Sequence, residues 1–124
     1  MIHLDTSFLI RALVPGASEG ARLLGWLRDD VAVQMSSIAW TEFLCGPVDS
    51  ESARVAVRVL GETVPFSSAD AELAASLYNQ GGRRRGSLND CMIAATAIRA
   101  GAALATSDRI DFERLRSAGL ELVS

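Results

Sequence analysis

Short apolar runs that stop abruptly at polar residues alternate along this chain with stretches whose apolar residues recur at helical spacing. Ile2 to Leu4, within MIHLDTSF, reads as a first strand that ends on a single carboxylate, Asp5, followed by Thr6 and Ser7. From Ser7 to Leu13 the positions Phe8, Leu9, Ile10 and Leu13 give a short helix with a broad apolar face, stopped by Pro15-Gly16. Ser18 is placed to cap a second helix through Leu23, Leu24 and Leu27 to Asp29-Asp30, the two helices forming a hairpin over the sheet edge. Val31 to Met35 is β-branched and apolar and predicts a second strand. Ser36 or Ser37 then caps a helix from Ile38 to Cys45 that Gly46-Pro47 ends.

The same reading predicts an amphipathic helix over Ser50–Glu62 with Ala53, Val55, Ala56, Val57, Val59 and Leu60 on its apolar side, then a minor extended segment over Thr63–Phe66. Ser67 or Ser68 caps a helix from Ala69 to Asn79 with Leu73, Ala74, Leu77 and Tyr78 turned inward. Gly81-Gly82-Arg83-Arg84-Arg85-Gly86 reads as a flexible basic loop, and Ser87 as the cap of a longer helix to Arg99 whose inner face is Leu88, Cys91, Met92, Ala95 and Ile98. After Gly101, a natural helix stop, Ala102 to Ala105 is a short buried strand ending in Thr106-Ser107-Asp108. A helix over Arg109–Arg116 and a strand over Leu120–Val123 close the chain. Strands alternating with helices predict an α/β fold: helices on both faces of a mainly parallel sheet of four to five strands.

Composition narrows the class. A chain of 124 residues, 49% hydrophobic and 22% charged, is expected to fold as one domain, residues 1–124. No apolar run approaches the roughly 20 residues that cross a bilayer, and the start lacks the features of a signal peptide, so a cytoplasmic protein with no membrane partner is expected. Cys45 and Cys91 lack metal-ligand spacing and are expected to be buried, reduced thiols. His3, inside the first strand, is expected to be a hydrogen-bonded core residue, and Trp26 and Trp40 to pack or to line a partner groove.

Charge adds a constraint. The net charge is −3, and all twelve basic residues are arginine. Without lysine there is no Walker phosphate loop, and a response-regulator receiver loses support. An acidic chain acts on nucleic acid only if cations supply the missing positive charge.

Four acids stand where that could happen. Asp5 and Asp108 end strands, while Glu42 and Asp90 lie near the starts of helices. In a parallel sheet with right-handed crossovers, strand carboxyl ends and the following helix N-termini share one edge. Each acid also has a plainer explanation: Asp5 as an N-cap, Asp90 as the acidic partner of a cap at Ser87, Asp108 as a charge favourable to a helix start. Glu42, in the apolar stretch IAWTEFL, resists one, because a lone buried glutamate is costly unless paired or liganded. Four clustered carboxylates would repel by about 4 kcal/mol per pair at about 4 Å and an effective dielectric near 20. A divalent cation relieves that repulsion, and hard oxygen donors without clustered His or Cys favour Mg²⁺ or Mn²⁺ over zinc.

The ordered set DTSFLI, an isolated Glu42 in a short helix, SLNDCMIAATAIRAG and LATSDRIDFERL resembles PIN domains, and specifically VapC-type toxins of bacterial toxin–antitoxin pairs, over nearly the whole chain. The resemblance implies a three-layer α/β/α sandwich and a Mg²⁺-dependent endoribonuclease whose acidic site would be Asp5, Glu42, Asp90 and Asp108. Many relatives carry Asn at the Asp108 position, where a nearby acid such as Asp111 then contributes; this chain has Asp at both. It also implies a small antitoxin lying across the apolar helices near Phe8–Leu13 and Ile38–Leu44, and a homodimer.

On this reading Asp5 and Asp90 would hold one Mg²⁺, and Glu42 and Asp108 would complete the cluster or a second site, for hydrolysis of a phosphodiester by metal-activated water. Two bound ions would take the formal charge from −3 to +1. Thr6, Ser7, Asn89, Thr106, Ser107 and Asp111 are candidates for orienting the carboxylates or holding waters. Arg83, Arg84 and Arg85 are candidates for gripping RNA backbone. Rival readings are a non-catalytic binding domain on the same fold, a nuclease acting on DNA, and a phosphohydrolase with an aspartyl nucleophile. The last usually needs a second Asp two residues after the first, where this chain has Ser7.

Overall fold

A computed structural model describes residues 1–124. Four short strands, β1 (Ile2–Leu4), β2 (Val33–Gln34), β3 (Ala103–Ala105) and β4 (Glu121–Leu122), form one sheet in the order β2-β1-β3-β4. Every pairing is parallel, with Ile2 opposite both Val33 and Ala103, and Ala103 opposite Glu121. Seven helices fill the connections: α1 (Thr6–Ala12), α2 (Ser18–Arg28), α3 (Ser37–Cys45), α4 (Ser50–Leu60), α5 (Ser68–Gln80), α6 (Leu88–Ala100) and α7 (Arg109–Glu113). From β1 the chain steps one way to β2, then reverses across β1 to reach β3. Right-handed crossovers therefore carry α1 and α2 over one face and α3 to α6 over the other, giving the expected layered sandwich.

The reversal puts β1 and β3 side by side with their following loops diverging, which opens a crevice beyond their carboxyl ends. Asp5 and Thr106 stand at its lip, since Asp5 follows Leu4 and its amide donates to the Ala105 carbonyl at 2.9 Å. Beneath it the core is continuous: Leu4, Phe8, Leu9, Met35, Phe43, Ile93, Leu104 and Phe112 are all buried. α6 passes through the middle of this core, burying Cys91, Ile93, Ala94, Ala95, Thr96 and Ala97. Its alanines let α5, α3 and β3 approach closely, so its buried face is wider than a single amphipathic stripe and excludes Leu88, which is exposed.

Local chemistry explains several boundaries. Ser36 caps α3 by accepting from the Ala39 amide at 3.1 Å. At α5 the cap is Ser67, in a reciprocal arrangement: Ser67 accepts from the Asp70 amide at 3.1 Å, and the Asp70 carboxylate accepts from the Ser67 amide at 2.9 Å. Asp49 caps α4. Val31–Met35 contributes only two paired residues, and Thr63–Phe66 only a single bridge between Val64 and Ser36. Trp26 stacks on Phe8 and Trp40 on Phe43, at centroid separations of 5.4 and 5.3 Å, so both tryptophans are packing residues.

Six expectations are corrected. Ser18 is the first residue of α2 rather than its cap, and Ser87 precedes α6 without capping it, its hydroxyl donating instead to the Arg84 carbonyl at 2.7 Å. Cys45, the last residue of α3, is exposed; Cys91 is buried as expected. His3 is buried with neither ring nitrogen hydrogen-bonded. On α4 only Ala56 and Leu60 are buried, while Val55 and Val57 face outward. The basic loop is a structured turn, described below. No helix is long and apolar enough to cross a membrane.

Candidate active site at the carboxyl edge of the sheet

Asp5 occupies the N-cap position of α1 with extended backbone, φ −77° and ψ 156°, yet its side chain makes no capping bond. Its Oδ2 instead accepts two hydroxyl hydrogen bonds, from Ser7 and from Thr106, each 2.8 Å long. The Ser7 hydroxyl in turn accepts from the Ser107 amide at 3.1 Å, and the Thr106 hydroxyl from the Asp108 amide at 3.0 Å. Each hydroxyl has one proton, and both protons point at Asp5. The carboxylate is thus fixed by a relay of backbone amide to hydroxyl to carboxylate that ties the end of β1 to the end of β3. A carboxylate has about four acceptor sites, so this relay does not exhaust it. Burial raises the Asp5 carboxyl above its ordinary value, the two hydroxyls pull it down, and the nearby Asp108 charge adds to the rise.

Glu42 lies on the half-buried side of α3, where Oε1 accepts from the Thr6 hydroxyl and Oε2 from the Asn89 side-chain amide, both at 3.3 Å. Thr6 belongs to α1 and Asn89 to α6, so one acid gathers three helices. The Thr6 hydroxyl shares its one proton between Glu42 and the nearer Ala39 carbonyl, at 2.9 Å.

Asp90 sits in the first turn of α6 and is part-exposed. Burial, together with the fields of Asp5, Asp111 and Glu42 and against the opposing field of Arg114, pushes its carboxyl from 3.8 up to about 7. Glu42 bonds to Thr6 and Asn89, the chain neighbours of Asp5 and Asp90, so the three acids stand at one edge. The two remaining acids divide: Asp108, at the start of α7 and without a capping bond, acts on Asp5, whereas Asp111 acts on Asp90 and shares a polar pocket with it. Capping therefore accounts for none of Asp5, Asp90 or Asp108. Ser107 also donates through its hydroxyl to Glu19 at 3.1 Å, linking α2 to the site's rim.

As a test of metal fit, the donor set is all oxygen and anionic, which suits a hard divalent ion. No three carboxylates stand at ligating distance from a common point. Mg²⁺ does not require that, because it usually keeps several waters and takes one or two carboxylates.

The arginines separate as well. Arg83, with a left-handed backbone at φ 55°, folds back on α5: its guanidinium donates to Asn79 at 2.7 Å and lies 5.3 Å from the Tyr78 ring centre. Arg84 and Arg85 line the pocket that holds Asp90 and Asp111. Two participants were missed in the sequence: Arg114, which faces Asp90 from the end of α7, and Glu19, which receives Ser107. Arg114 had a signal, since it lies three residues after Asp111, one helical turn on. Glu19 had none.

Comparison with known proteins matches the family model described as PIN domain to residues 2–117, a span that takes in every candidate acid. Among solved structures the chain is similar to a chain of VapBC2 from Rickettsia felis, crystallised bound to a DNA fragment from their promoter, at 24% identity and a TM-score of 0.78, covering 99% of this chain and 98% of that one. FitAcB from Neisseria gonorrhoeae matches at 24% identity and a TM-score of 0.71, covering 100% and 97%. A toxin–antitoxin complex from Klebsiella pneumoniae matches at 23% identity and 0.69, also covering 100% and 97%. With the family model spanning all but the ends, a parallel sheet in β2-β1-β3-β4 order and acids at its carboxyl edge, this chain belongs to the PIN domain family.

Proposed function

We propose that this PIN domain is a Mg²⁺-dependent endoribonuclease, the toxin of a type II toxin–antitoxin pair, cutting RNA phosphodiester bonds with a metal-activated water. One observation carries the reading: Asp5, Glu42 and Asp90 come from three distant segments to one edge, where burial first and then the field of the neighbouring acids hold Asp90 at about 7, an arrangement that a divalent cation relieves. When bound, such an ion, or a pair, lowers the pKa of the attacking water and offsets charge growing on the phosphate. Asp5 and Asp90 would hold it, with Mn²⁺ an acceptable substitute. Ser7 and Thr106 keep the Asp5 carboxylate in one rotamer, and Thr6 and Asn89 do the same for Glu42, so the acids are positioned before substrate arrives. Asp108 on one side and Asp111 on the other complete the anionic rim and orient water.

An antitoxin partner is supported by apolar clefts on the helices away from the acids. The larger, about 460 Å³, lies between the α1–α2 turn and α4 and includes Leu13, Val14, Leu24, Val55 and Val59. A second joins Ile10, Leu13 and Val14 to Phe43 and Val48. The expected docking stretch near Phe8 shifts outward, because Phe8 and Leu9 are core residues. A homodimer working in the cytoplasm fits the same reading.

Purified protein freed of any partner and incubated with a defined single-stranded RNA should yield internal fragments with Mg²⁺ and none with EDTA. Asp5→Asn and Asp90→Asn should each lose activity by at least the roughly 10- to 100-fold seen when residues that merely orient metal ligands are changed. DNA of the same sequence should stay intact. Equal cutting by wild type and both variants would end the proposal; cutting of DNA in preference to RNA would replace the substrate.

A further inference from the structure

The cluster Gly81–Gly86 turns out to be a built feature. Ser87 returns both its amide, at 3.1 Å, and its hydroxyl, at 2.7 Å, to the Arg84 carbonyl, closing a four-residue turn over Arg84-Arg85-Gly86-Ser87. Gly86, at the third position with φ 78°, supplies the left-handed conformation such a turn needs. Arg84 and Arg85 are therefore presented from a fixed backbone. Opposite them stands Arg114, packed over Gly81 so closely that a Cβ at Gly81 would lie 2.9 Å from its guanidinium nitrogen.

We infer that the pocket between this turn and α7 is a subsite for a phosphate of a single-stranded nucleic acid, held by Arg84, Arg85 and Arg114. The inference rests on the nuclease reading and adds where the strand runs beside the acidic edge. The pocket, about 120 Å³, is lined by those three arginines, Gly86, Ser87, Asp90 and Asp111, with no hydrophobic residue. It admits one phosphate group. Because Asp90 and Asp111 form its wall, a phosphate seated there adjoins the acids. The three guanidiniums are uncommitted: the arginines that form ion pairs are Arg11, Arg99 and Arg116, and those that donate hydrogen bonds are Arg22, Arg83, Arg99, Arg109 and Arg116. Three positive against two negative side chains leave a small net positive charge, which suits one phosphate of a polymer tethered at neighbouring points. Ser87 spends its hydroxyl on Arg84, so it does not cap α6, and the positive end of that helix adds to the field. A second cavity that shares Arg84 and Arg114 and extends along Gln80, Gly81 and Ser117 continues the path away from the acids.

The test uses full-length Asp5→Asn protein, whose changed residue lies outside the pocket, in Mg²⁺ with a fluorescent 12-nucleotide RNA, read by anisotropy across a salt series. Arg84→Ala, Arg85→Ala and Arg114→Ala should each weaken binding about five- to tenfold. The Arg84→Ala/Arg114→Ala double variant should flatten the log–log salt slope by about 0.7, the loss of one phosphate contact on a single strand. Arg58→Ala, on exposed α4, should bind like its parent. Thermal melts check folding, and exposed Arg84 and Arg85 carry the test if Arg114→Ala fails to fold. Unchanged affinity in the arginine variants, with a parent that binds, overturns the subsite alone. A parent that binds no RNA overturns the subsite; the nuclease reading stands or falls separately, on RNA cleavage by the wild-type protein, because Asp5→Asn removes a proposed metal ligand.

Discussion

Asp90→Asn should make the metal-free protein more stable at neutral pH, because the wild-type carboxyl is held in a place that resists its ionisation. The unfolded chain releases that proton near 3.8 and the folded chain near 7. Below the first value both states are protonated and Asp90 costs nothing. Between the two the folded state binds the extra proton, so stability falls as pH rises, and above about 7 the whole penalty is present. A carboxyl moved that far corresponds to about 4 kcal/mol at about 1.4 kcal/mol per decade; solvent screening at this part-exposed group reduces it to about 2 kcal/mol. Asn keeps the shape and cannot ionise. In EDTA at pH 8 the variant should therefore melt about 6 to 10 °C above wild type for a domain of this size, with the two curves converging at pH 4. Saturating Mg²⁺ should close the gap from the wild-type side, since the ion compensates a charge the variant lacks. Scanning calorimetry from pH 4 to 8, with and without Mg²⁺, measures all three. A variant equally stable or weaker at pH 8, or a gap independent of pH, would show that burial and the neighbouring acids together do not raise the Asp90 carboxyl and would remove the main support for a cation site.

Three other changes probe separate parts of the argument. Thr106→Val deletes one of the two hydroxyls on Asp5; it should raise the Asp5 carboxyl further and cost about 1.5 to 3 kcal/mol at neutral pH, both readable from carboxyl-carbon NMR titration and urea unfolding, whereas an unshifted Asp5 titration would discount the relay. His3→Leu removes a buried imidazole with no partner on either nitrogen and should stabilise the protein by about 1 to 2 kcal/mol in thermal melts at pH 7.5; a marked loss would mean the ring is satisfied after all. Asp70→Ala breaks both the cap on Ser67 and the 3.1 Å pair with Arg99 and should cost about 2 kcal/mol. Burial would raise the Asp70 carboxyl, but the Ser67 amide, the Arg99 guanidinium and the Ser67 hydroxyl outweigh it and hold it below the ordinary value. Its stabilisation is thus present above about pH 4 and is lost as pH falls through the lowered folded value, so wild type and variant should converge in acid; a constant difference down to pH 2 would contradict that assignment.

What could be read from the chain alone follows from which interactions are local. Strand–helix alternation, the stop at Gly46-Pro47 and the cap at Ser67 depend on neighbours within a turn, and each is found close to where its residues place it. The four-strand order was not readable, because β2 and β4 are two residues long and their pairing is decided by the helices that cover them. The wide burial of α6 was missed for a related reason: an alanine-rich helix has no polar face to mark an outside, and only its packing partners show that Ala94 and Ala97 are enclosed.

The site divides along the same line. Glu42 stood out because its local sequence does not explain a lone charge; Asp5 and Asp90, which caps could have explained, joined it through the shared edge of a parallel sheet. The choice between Asp108 and Asp111 could not be made that way, since both lie within the first turn at the start of α7 and differ only in direction. The structure gives them different neighbours, Asp5 for one and Asp90 for the other. The arginines were the least legible, because three consecutive copies of one residue carry no directional information. Backbone conformation sorts them: the left-handed turn at Arg83 returns its side chain to Tyr78 and Asn79, while the turn closed by Ser87 sends Arg84 and Arg85 toward Arg114. A cationic wall beside an anionic cleft is therefore set by two glycines and a serine hydroxyl as much as by the charged residues themselves.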